Sequence, residues 1–323
     1  AIWSGTMLLH KQYVTPFYPM NSLQKLLDSE GYDNYVTRDP ILQTVVRPSD
    51  NIHDLGKGLS WLKLELCQML GELKDRLTER PPQASPLFLY TQPQNVHRMV
   101  LTGGKTPAGP GDRFPGFYEH YASEVQHIDG CFGGFIQFLK GNGLYDNSIV
   151  ILTADHGDCL GEGGRWGHSV WIFPEILKIP LIIHLPPKIQ KRVYWDSDAV
   201  AFATDITPTL YYLLGYRPIK QNAMFGRSLF AERGDRLDTG RHTSYLLAAS
   251  YSPTYGILDN NGKSLFIADA TAGREYYFDL AVDPKGNRNL VSGLDAAELA
   301  EKERFIADGI QEINRFFKYK TDH

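Results

Sequence analysis

Apolar positions follow two patterns up to about residue 215. Residues 149–152 form an uninterrupted apolar run, which is typical of a parallel strand covered on both faces of a sheet. Leucines recur every three to four positions within residues 58–79, and this spacing predicts a core-facing helix. The alternation of such segments predicts an α/β body. The other helices are predicted over residues 21–27, 117–140 and 207–215, and the other strands over residues 35–37, 87–91 and 179–185.

The pattern changes beyond residue 240. Several short runs have strand character, and Asn260-Asn261-Gly262 between two of them is typical of a hairpin turn. A final amphipathic helix is predicted over residues 295–318. We therefore predict an α/β domain over residues 1–240 and a subdomain over residues 241–323, an antiparallel sheet with a terminal helix. The short runs cover residues 245–250, 255–258, 263–268 and 275–280.

Charge and hydropathy exclude two classes of partner. The net charge of −4 gives no general attraction to nucleic acid or to an anionic membrane surface. No apolar run approaches the roughly 20 residues that a membrane-spanning helix needs. We therefore expect no nucleic-acid partner and no membrane span, and any anion site must be built locally.

The N-terminus and the cysteines bear on processing and compartment. Residues 1–6 have neither the basic region nor the apolar region of a signal peptide, and they lack an initiating Met, so we expect a trimmed or truncated product. The chain has three cysteines, Cys67, Cys131 and Cys159. Their odd number, and the helical or core segments that hold two of them, argue against a disulfide framework. The compartment stays open.

Asp155 and His156 follow the apolar run 149–152 directly. Ligands of open α/β sheets gather beyond the carboxyl ends of such strands, and Gly157 permits the turn that lets neighbouring side chains reach one ion. A carboxylate and an imidazole suit Zn²⁺ or Mn²⁺, and Ca²⁺ if other oxygens complete the shell. The alternative is a solvated strand-to-loop turn with an N-capping aspartate. Two further segments, residues 102–113 and 232–242, are expected to shape the mouth of the pocket.

The order of segments resembles the sulfatase family within the alkaline phosphatase superfamily. The similarity runs from near Ser22 to the last helix and does not depend on one motif. It implies a mostly parallel sheet flanked by helices, with a small C-terminal antiparallel sheet and helix. The segments that carry it are residues 23–32, 117–129, 144–147, 153–157, 178–183, 205–209, 213–215, 226–229, 277–284 and 289–290.

The resemblance also implies a chemistry. Family members hydrolyse sulfate monoesters, and relatives process phosphate or phosphonate esters, with a divalent metal and a covalent nucleophile. Asp155 and His156 align with metal ligands at the strand end. Some sulfatases carry Asn at the second position, whereas phosphate- and phosphonate-processing relatives often carry His. His156 therefore slightly favours phosphate or phosphonate esters over simple sulfate esters as substrates.

Two histidines resemble the catalytic residues of the family. His97 resembles the histidine that contacts the anion or protonates the leaving oxygen; a loop imidazole bonded to backbone is the alternative. His168 stands where sulfatases carry a basic residue that touches the anion. For His168 the alternatives are a second metal ligand and a packed imidazole beside Trp166.

Three family motifs are absent. Neither the acidic pair of the first strand nor the nucleophile motif Cys/Ser-x-Pro-Ser-Arg occurs, so no formylglycine is assigned. Residues 1–5 resemble the helix that follows this motif, which would place the nucleophile just upstream. Ser4 and Thr6 are candidate substitutes, although capping or helix-surface roles are favoured. Thr37-Arg38-Asp39-Pro40 replaces the Gly-Lys-Trp-His motif, and Arg38 could supply a cation there.

The leading hypothesis is a sulfatase-like, metal-dependent hydrolase of a small anionic ester, with Ca, Mn or Zn as the ion. The chain as given is expected to lack its nucleophile and to turn over little. One alternative is a phosphate or phosphonate hydrolase, or a phospho-group transferase, of the same superfamily. Another is a degenerate, non-catalytic member that binds anions. Family members are commonly periplasmic or secreted, and the oligomeric state stays open.

Overall fold

The computed structural model describes residues 1–7, 17–81, 84–102, 118–217, 226–235 and 244–321. Most of the predicted pocket-mouth segments, residues 103–113 and 236–242, lie outside these described residues. The chain divides into two compact units. The first unit comprises Ala1–Thr15, Leu152–Ile182 and Arg192–His323, and the second comprises Pro16–Ile151 and Ile183–Lys191. The predicted domain boundary at residue 240 stays a prediction.

The described residues form helices and strands in alternation before a run of antiparallel strands. The helices are α1 (Ser22–Ser29), α2 (Leu42–Val45), α3 (Leu66–Thr78), α4 (Asn95–Thr102), α5 (Glu119–Gly141), α6 (Pro174–Leu177), α7 (Pro187–Gln190), α8 (Ile206–Leu213) and α9 (Ala296–Thr321). The strands are β1 (Asp33–Val36), β2 (Ile52–Asp54), β3 (Leu87–Tyr90), β4 (Val150–Thr153), β5 (Cys159–Leu160), β6 (Trp166–Gly167), β7 (Leu181–His184), β8 (Val193–Tyr194), β9 (Ala231–Glu232), β10 (Tyr245–Ala248), β11 (Thr254–Asp259), β12 (Ser264–Asp269) and β13 (Arg274–Asp279).

The second unit contains a three-stranded parallel sheet in the order β2-β1-β3. Its first helix, α1, begins as predicted, because the Asn21 side chain accepts a hydrogen bond from the Gln24 amide at 2.8 Å. The helix ends before Gly31, whose φ of 69° is readily available to glycine. The fold class and this capped helix are confirmed.

Helix α3 is shorter than predicted. Residues 61–63 form a separate 3-10 turn, and α3 begins only at Leu66. The Leu66 amide donates to Asn95 Oδ1 at 2.9 Å, and the Gln94 amide donates to the Leu64 carbonyl at 2.7 Å. Because these partners lie about thirty residues away, the start of α3 is set by tertiary contacts. The same helix and α5 share a buried core of Leu55, Leu64, Leu66, Met69, Leu70, Leu73, Phe135 and Leu139.

The prediction about the cysteines was wrong. Cys67 on α3 and Cys131 on α5 form a disulfide across 64 positions of sequence, with Cα atoms 5.2 Å apart. Helical segments can carry a disulfide when two packed helices bring their cysteines together, and here the α3–α5 packing does so. Cys159 is buried and not in a disulfide.

The antiparallel sheet of the first unit confirms the predicted C-terminal pattern. Strands β10 to β13 pair in order, and β11 and β12 form a hairpin in which Asp259 faces Ser264. Asn260 and Asn261 have φ values of 51° and 53°, which asparagine tolerates better than most residues. Helix α9 packs Ile306 against buried residues of this sheet.

The central strands are less buried than predicted. Every residue of β4 is only partly buried, and Ile182 in β7 has 63% of its surface exposed. Among the described strands, β4 pairs with β7 alone. The apolar run of residues 149–152 therefore predicted the strand correctly, but not its burial on both faces. None of the described helices combines the length and the apolar character that crossing a bilayer requires.

Candidate metal and anion site

Asp155 and His156 lie in the loop after β4, in the first unit. His156 Nδ1 lies 3.0 Å from the Gly157 carbonyl oxygen, which can only accept, so Nδ1 carries the proton. In a neutral His156 the lone pair is then on Nε2, which lies 3.6 Å from Asp155 Oδ2. The other Asp155 oxygen accepts the His156 amide at 3.1 Å. One carboxylate oxygen therefore stabilises the turn, while the other faces the imidazole lone pair.

Gly157 fixes this loop against α6. Its amide donates to the Ile176 carbonyl at 2.8 Å, and a Cβ at this position would lie 2.1 Å from the Glu175 carbonyl oxygen. Glycine is therefore required by the close approach of two backbones rather than by a left-handed conformation. The prediction that the conformational freedom of Gly157 permits the turn was therefore wrong, because Gly157 has no positive φ and its small size is what the backbone approach needs.

A short hairpin brings His168 back to the same loop. Strands β5 and β6 pair with Cys159 opposite Gly167, so Asp158 and His168 flank the open end of the hairpin. His168 Nδ1 lies 2.6 Å from Asp158 Oδ1, and the Asp158 side chain is only 7% exposed. A carboxylate accepts, so Nδ1 donates, and a neutral His168 then has its acceptor lone pair on Nε2.

An ion pair connects the β5–β6 hairpin to α6. Arg165 Nη2 lies 2.7 Å from Glu175 Oε1, and the guanidinium stacks over the Phe173 ring at 3.7 Å. The Cys159 thiol donates to the same Glu175 oxygen at 3.4 Å. Burial and the neighbouring Glu175 carboxylate raise the pKa of Cys159, so this cysteine stays a protonated thiol. It is not an activated nucleophile.

The two imidazoles of the site lie close together. The ring centroids of His156 and His168 are 4.0 Å apart. Donor atoms of His156, Asp158 and His168 lie within 4.8 Å of one another. The 3.6 Å between Asp155 Oδ2 and His156 Nε2 also suits two ligands that each bond at roughly 2.0–2.2 Å.

This donor set fits a divalent ion. Mixed imidazole and carboxylate donors suit Zn²⁺ or Mn²⁺ better than Ca²⁺, which prefers oxygen. Asp158 was missed in the sequence, although the glycine-rich turn within residues 161–164 between short strand-like runs is a hairpin pattern that could have revealed it.

His97 and Arg38 belong to the second unit. His97 lies in the first turn of α4, with its ring centroid 5.9 Å from that of Trp61. It is therefore a helical residue rather than a loop residue, and its role in the same site stays a prediction. Arg38 forms a two-point ion pair with Asp54, which raises the pKa of Arg38. Its charge is already compensated.

Ser4 and Thr6 are buried in a turn near the N-terminus. Their hydroxyl oxygens are 2.8 Å apart, and the Ser4 hydroxyl also accepts the Thr6 amide at 3.2 Å. Among the described residues, the hydrogen-bond partners of these two hydroxyls are backbone groups and each other rather than a base, so the geometry gives neither an activating neighbour there. A structural role is favoured, although the turn replaces the predicted helix.

Two downstream motifs hold the first unit together. Asp205 is buried and accepts hydrogen bonds from the amides of Phe202 and Arg227, each at 2.9 Å. A Cβ on Gly226 would lie 1.9 Å from the Thr204 carbonyl oxygen. The Gly226 amide donates to the Gly5 carbonyl at 3.1 Å. These segments are scaffold, so their match to the family concerns fold rather than chemistry.

The sequence profile of the Sulfatase family matches residues 6–216. The chain belongs to the sulfatase family. An N-acetylglucosamine-6-O-sulfatase of Bacteroides thetaiotaomicron is 24% identical over 213 residues, which are 64% of this chain and 37% of that protein. The chain thus spans a little over a third of the first curated relatives, 37% and 36% of their lengths.

Two solved structures illustrate the shared fold. A protein in complex with D-glucosamine-2-N,6-O-disulfate superposes with a TM-score of 0.63 at 14% identity, covering 98% of this chain and 87% of that one. The phosphonate monoester hydrolase of Agrobacterium radiobacter has a TM-score of 0.58 at 16% identity, covering 97% and 87%. At these identities the likeness establishes the alkaline-phosphatase-like fold alone, and the family as a whole is generally metal-dependent.

Proposed function

We propose that this chain supplies the metal-binding and anion-binding residues of a hydrolase of sulfate esters. The observation that carries the proposal is the loop in which Asp155 and His156 face each other at 3.6 Å, beside a His168 fixed by Asp158. Asp155 and His156 would hold Zn²⁺, Mn²⁺ or Ca²⁺. The bound ion would polarise the sulfate and offset its charge.

His168 acts from a fixed orientation. Asp158 holds Nδ1–H, so Nε2 is the atom that meets the anion or moves a proton to and from it. We prefer this role for His168 over metal ligation, because the family resemblance places at this position a basic residue that touches the anion. His97 is proposed to protonate the leaving alcohol oxygen, on the strength of the family resemblance.

The nucleophile is proposed to come from residues outside this chain. Three candidates inside it are weak: Ser4 and Thr6 bond each other in a buried turn, and Cys159 stays protonated. We therefore expect the 323-residue chain to turn over aryl sulfate slowly. Rapid turnover by the pure chain would contradict the proposal that the nucleophile lies outside it. The proposed metal site would be unaffected by that result.

A sulfated sugar is the proposed substrate class. The support comes from relatives: one is an N-acetylglucosamine-6-O-sulfatase, and another was solved with D-glucosamine-2-N,6-O-disulfate. Such a molecule is the small anionic ester that the sequence predicts.

Metal titration tests the core of the proposal. Calorimetric titration of the chain with Zn²⁺ and Mn²⁺ should show binding that Asp155→Asn and His156→Ala each weaken by about tenfold or more. Asp146→Asn is the matched control, because Asp146 is exposed in the 3-10 turn before β4. Equal affinity in all four proteins would overturn the assignment.

A phosphate or phosphonate hydrolase, or a phospho-group transferase, is the second candidate. It is favoured by the imidazole at position 156 and by the fold shared with a phosphonate monoester hydrolase. Direct competition separates the two: sulfate and phenylphosphonate should be titrated into the metal-loaded chain. Tighter phosphonate binding that depends on His168 would favour this candidate. Anion binding by a gene product that lacks any nucleophile would favour a non-catalytic member.

A further inference from the structure

Cys67, His127 and Cys131 form a second cluster of metal-ligating side chains, in the second unit. His127 lies one helical turn before Cys131 on α5, and its Nε2 is 3.1 Å from Cys67 Sγ. One ligand atom from each residue lies within 4.8 Å of the others. We propose that these three residues bind a Zn²⁺-type ion when the Cys67–Cys131 disulfide is reduced. The inference does not depend on the proposed hydrolase activity.

The donor chemistry selects the ion. Two thiolates and one imidazole are soft and intermediate donors that Zn²⁺ accepts in a tetrahedral shell. Three protein ligands leave a fourth position for water. His127 is exposed and the two cysteines are only partly buried, so an ion can enter from solvent. The first-unit site, by contrast, offers only nitrogen and oxygen donors.

The helices hold the ligands together without the disulfide. Helices α3 and α5 share buried contacts among Leu70, Leu73, Phe135 and Leu139. Asn95 adds a polar link at the same end of α3, because its Oδ1 accepts the Leu66 amide and its Nδ2 donates to Glu124 Oε1 on α5 at 2.5 Å. A site held by packing loses little entropy on binding an ion.

Local electrostatics favour the thiolate form. Cys67 is the second residue of α3, where the unpaired amides of a helix N-terminus stabilise negative charge. A neutral His127 can then coordinate through Nε2, the atom that already faces the sulfur. The N-terminus of α3 supports the site here and is not its basis, which is the set of three donors.

Electrons and protons are conserved when the disulfide state and the metal-bound state interconvert. A dithiol reductant transfers two electrons and two protons to the disulfide, giving two thiols and an oxidised reductant. Binding of Zn²⁺ then displaces both thiol protons into solvent. For the return step, a disulfide oxidant accepts two electrons from the two thiolates by thiol–disulfide exchange and takes up two protons from solvent to become a dithiol. The Cys67–Cys131 disulfide re-forms, both sulfur ligands are lost and the ion is released.

Co²⁺ is the probe that separates this site from others. The chain is reduced with dithiothreitol, desalted without oxygen and titrated with Co²⁺, because Co²⁺–thiolate bonds give near-ultraviolet charge-transfer absorption. We expect about one equivalent of thiolate-bound Co²⁺ in the reduced chain, displaced by Zn²⁺, and none in the oxidised chain. Binding at Asp155 and His156 would give no such band.

Variants assign the ligands. His127→Ala should weaken Co²⁺ binding by about tenfold or more, and Cys67→Ser should abolish the charge-transfer band. Cys159→Ser is the matched control and should keep the band, because Cys159 is buried in the other unit. Absence of the band in the reduced chain would overturn the proposal. So would a His127→Ala affinity equal to the wild type, or loss of native helicity on reduction.

Discussion

Two carboxylate–imidazole pairs lie within residues 155–168, and they differ in interatomic distance and in exposure. In the Asp155–His156 pair the nearest carboxylate oxygen and ring nitrogen are 3.6 Å apart and the Asp155 side chain is 52% exposed. In the Asp158–His168 pair they are 2.6 Å apart and Asp158 is 7% exposed. The first pair is long and exposed, whereas the second is short and largely buried.

We propose that the two pairs have different roles, metal binding for the first and orientation of His168 for the second. A loose pair whose imidazole lone pair faces a carboxylate oxygen suits a site that gains an ion. A tight, buried pair suits a residue that must keep one orientation while its other ring nitrogen acts. The 4.0 Å between the two rings couples the pairs, so a change in one tests the other.

The largest expected effect comes from Gly157, which supports both pairs. The Gly157→Ala change places a methyl group 2.1 Å from the Glu175 backbone oxygen, and no side-chain rotation relieves that contact. We expect a loss of about 1–3 kcal/mol in the free energy of unfolding, together with loss of metal binding. Urea unfolding and metal titration measure the two effects.

Gly71→Ala is the matched control for that change. Gly71 lies in the interior of α3, and a Cβ there meets no atom within 4 Å. Its replacement should raise stability by up to about 1 kcal/mol, because alanine favours helix. Comparable stability of the Gly157→Ala and wild-type proteins would show that the loop does not need this backbone approach.

Metal affinity distinguishes the pairs by ligand role. If Asp155 and His156 are the ligands, Asp155→Asn should weaken binding by about tenfold or more, while Asp158→Asn should leave it within about threefold. Titration calorimetry on both variants decides the matter. An equal loss in Asp158→Asn would instead assign the ion to His156, Asp158 and His168, the donors that lie within 4.8 Å.

Stability should show the reverse order. Asp158→Asn weakens a buried, charge-assisted hydrogen bond and should reduce the free energy of unfolding by about 1–3 kcal/mol. Asp155→Asn, at an exposed position, should change it by less than about 0.5 kcal/mol. Urea unfolding without metal measures both, and a larger loss for Asp155→Asn would reverse the assignment of roles.

Features with local causes could be predicted from the sequence. The Asn21 cap of α1 and the hairpin at Asn260-Asn261 depend on residues within four positions of each other, and the structure confirms both. The position of Asp155 and His156 just after a strand could be predicted for a related reason, because the end of an apolar run is visible in the sequence. Their role as metal ligands stays a prediction.

Features with distant causes could not. The start of α3 depends on Asn95, and the disulfide depends on helices that bring together positions 64 residues apart. Asp158 was missed because its partner, His168, comes into contact only when β5 and β6 pair. The exposure of Ile182 shows the same limit, since burial depends on what covers a strand and not on the strand itself.

The smallest expected effect lies at Cys159, the residue after Asp158. Burial and the neighbouring Glu175 carboxylate raise the pKa of the Cys159 thiol. The thiol therefore stays protonated throughout the pH range in which an ordinary cysteine ionises. In the native reduced chain at pH 8.5, about where a free cysteine is half ionised, iodoacetamide should alkylate Cys67 and Cys131 while leaving Cys159 largely unmodified. Mass spectrometry of the peptides measures this, and urea-unfolded chain, in which all three should react, is the control. Rapid alkylation of native Cys159 would mean that the hairpin opens readily, and the Asp158–His168 pair would then not be the fixed member of the comparison.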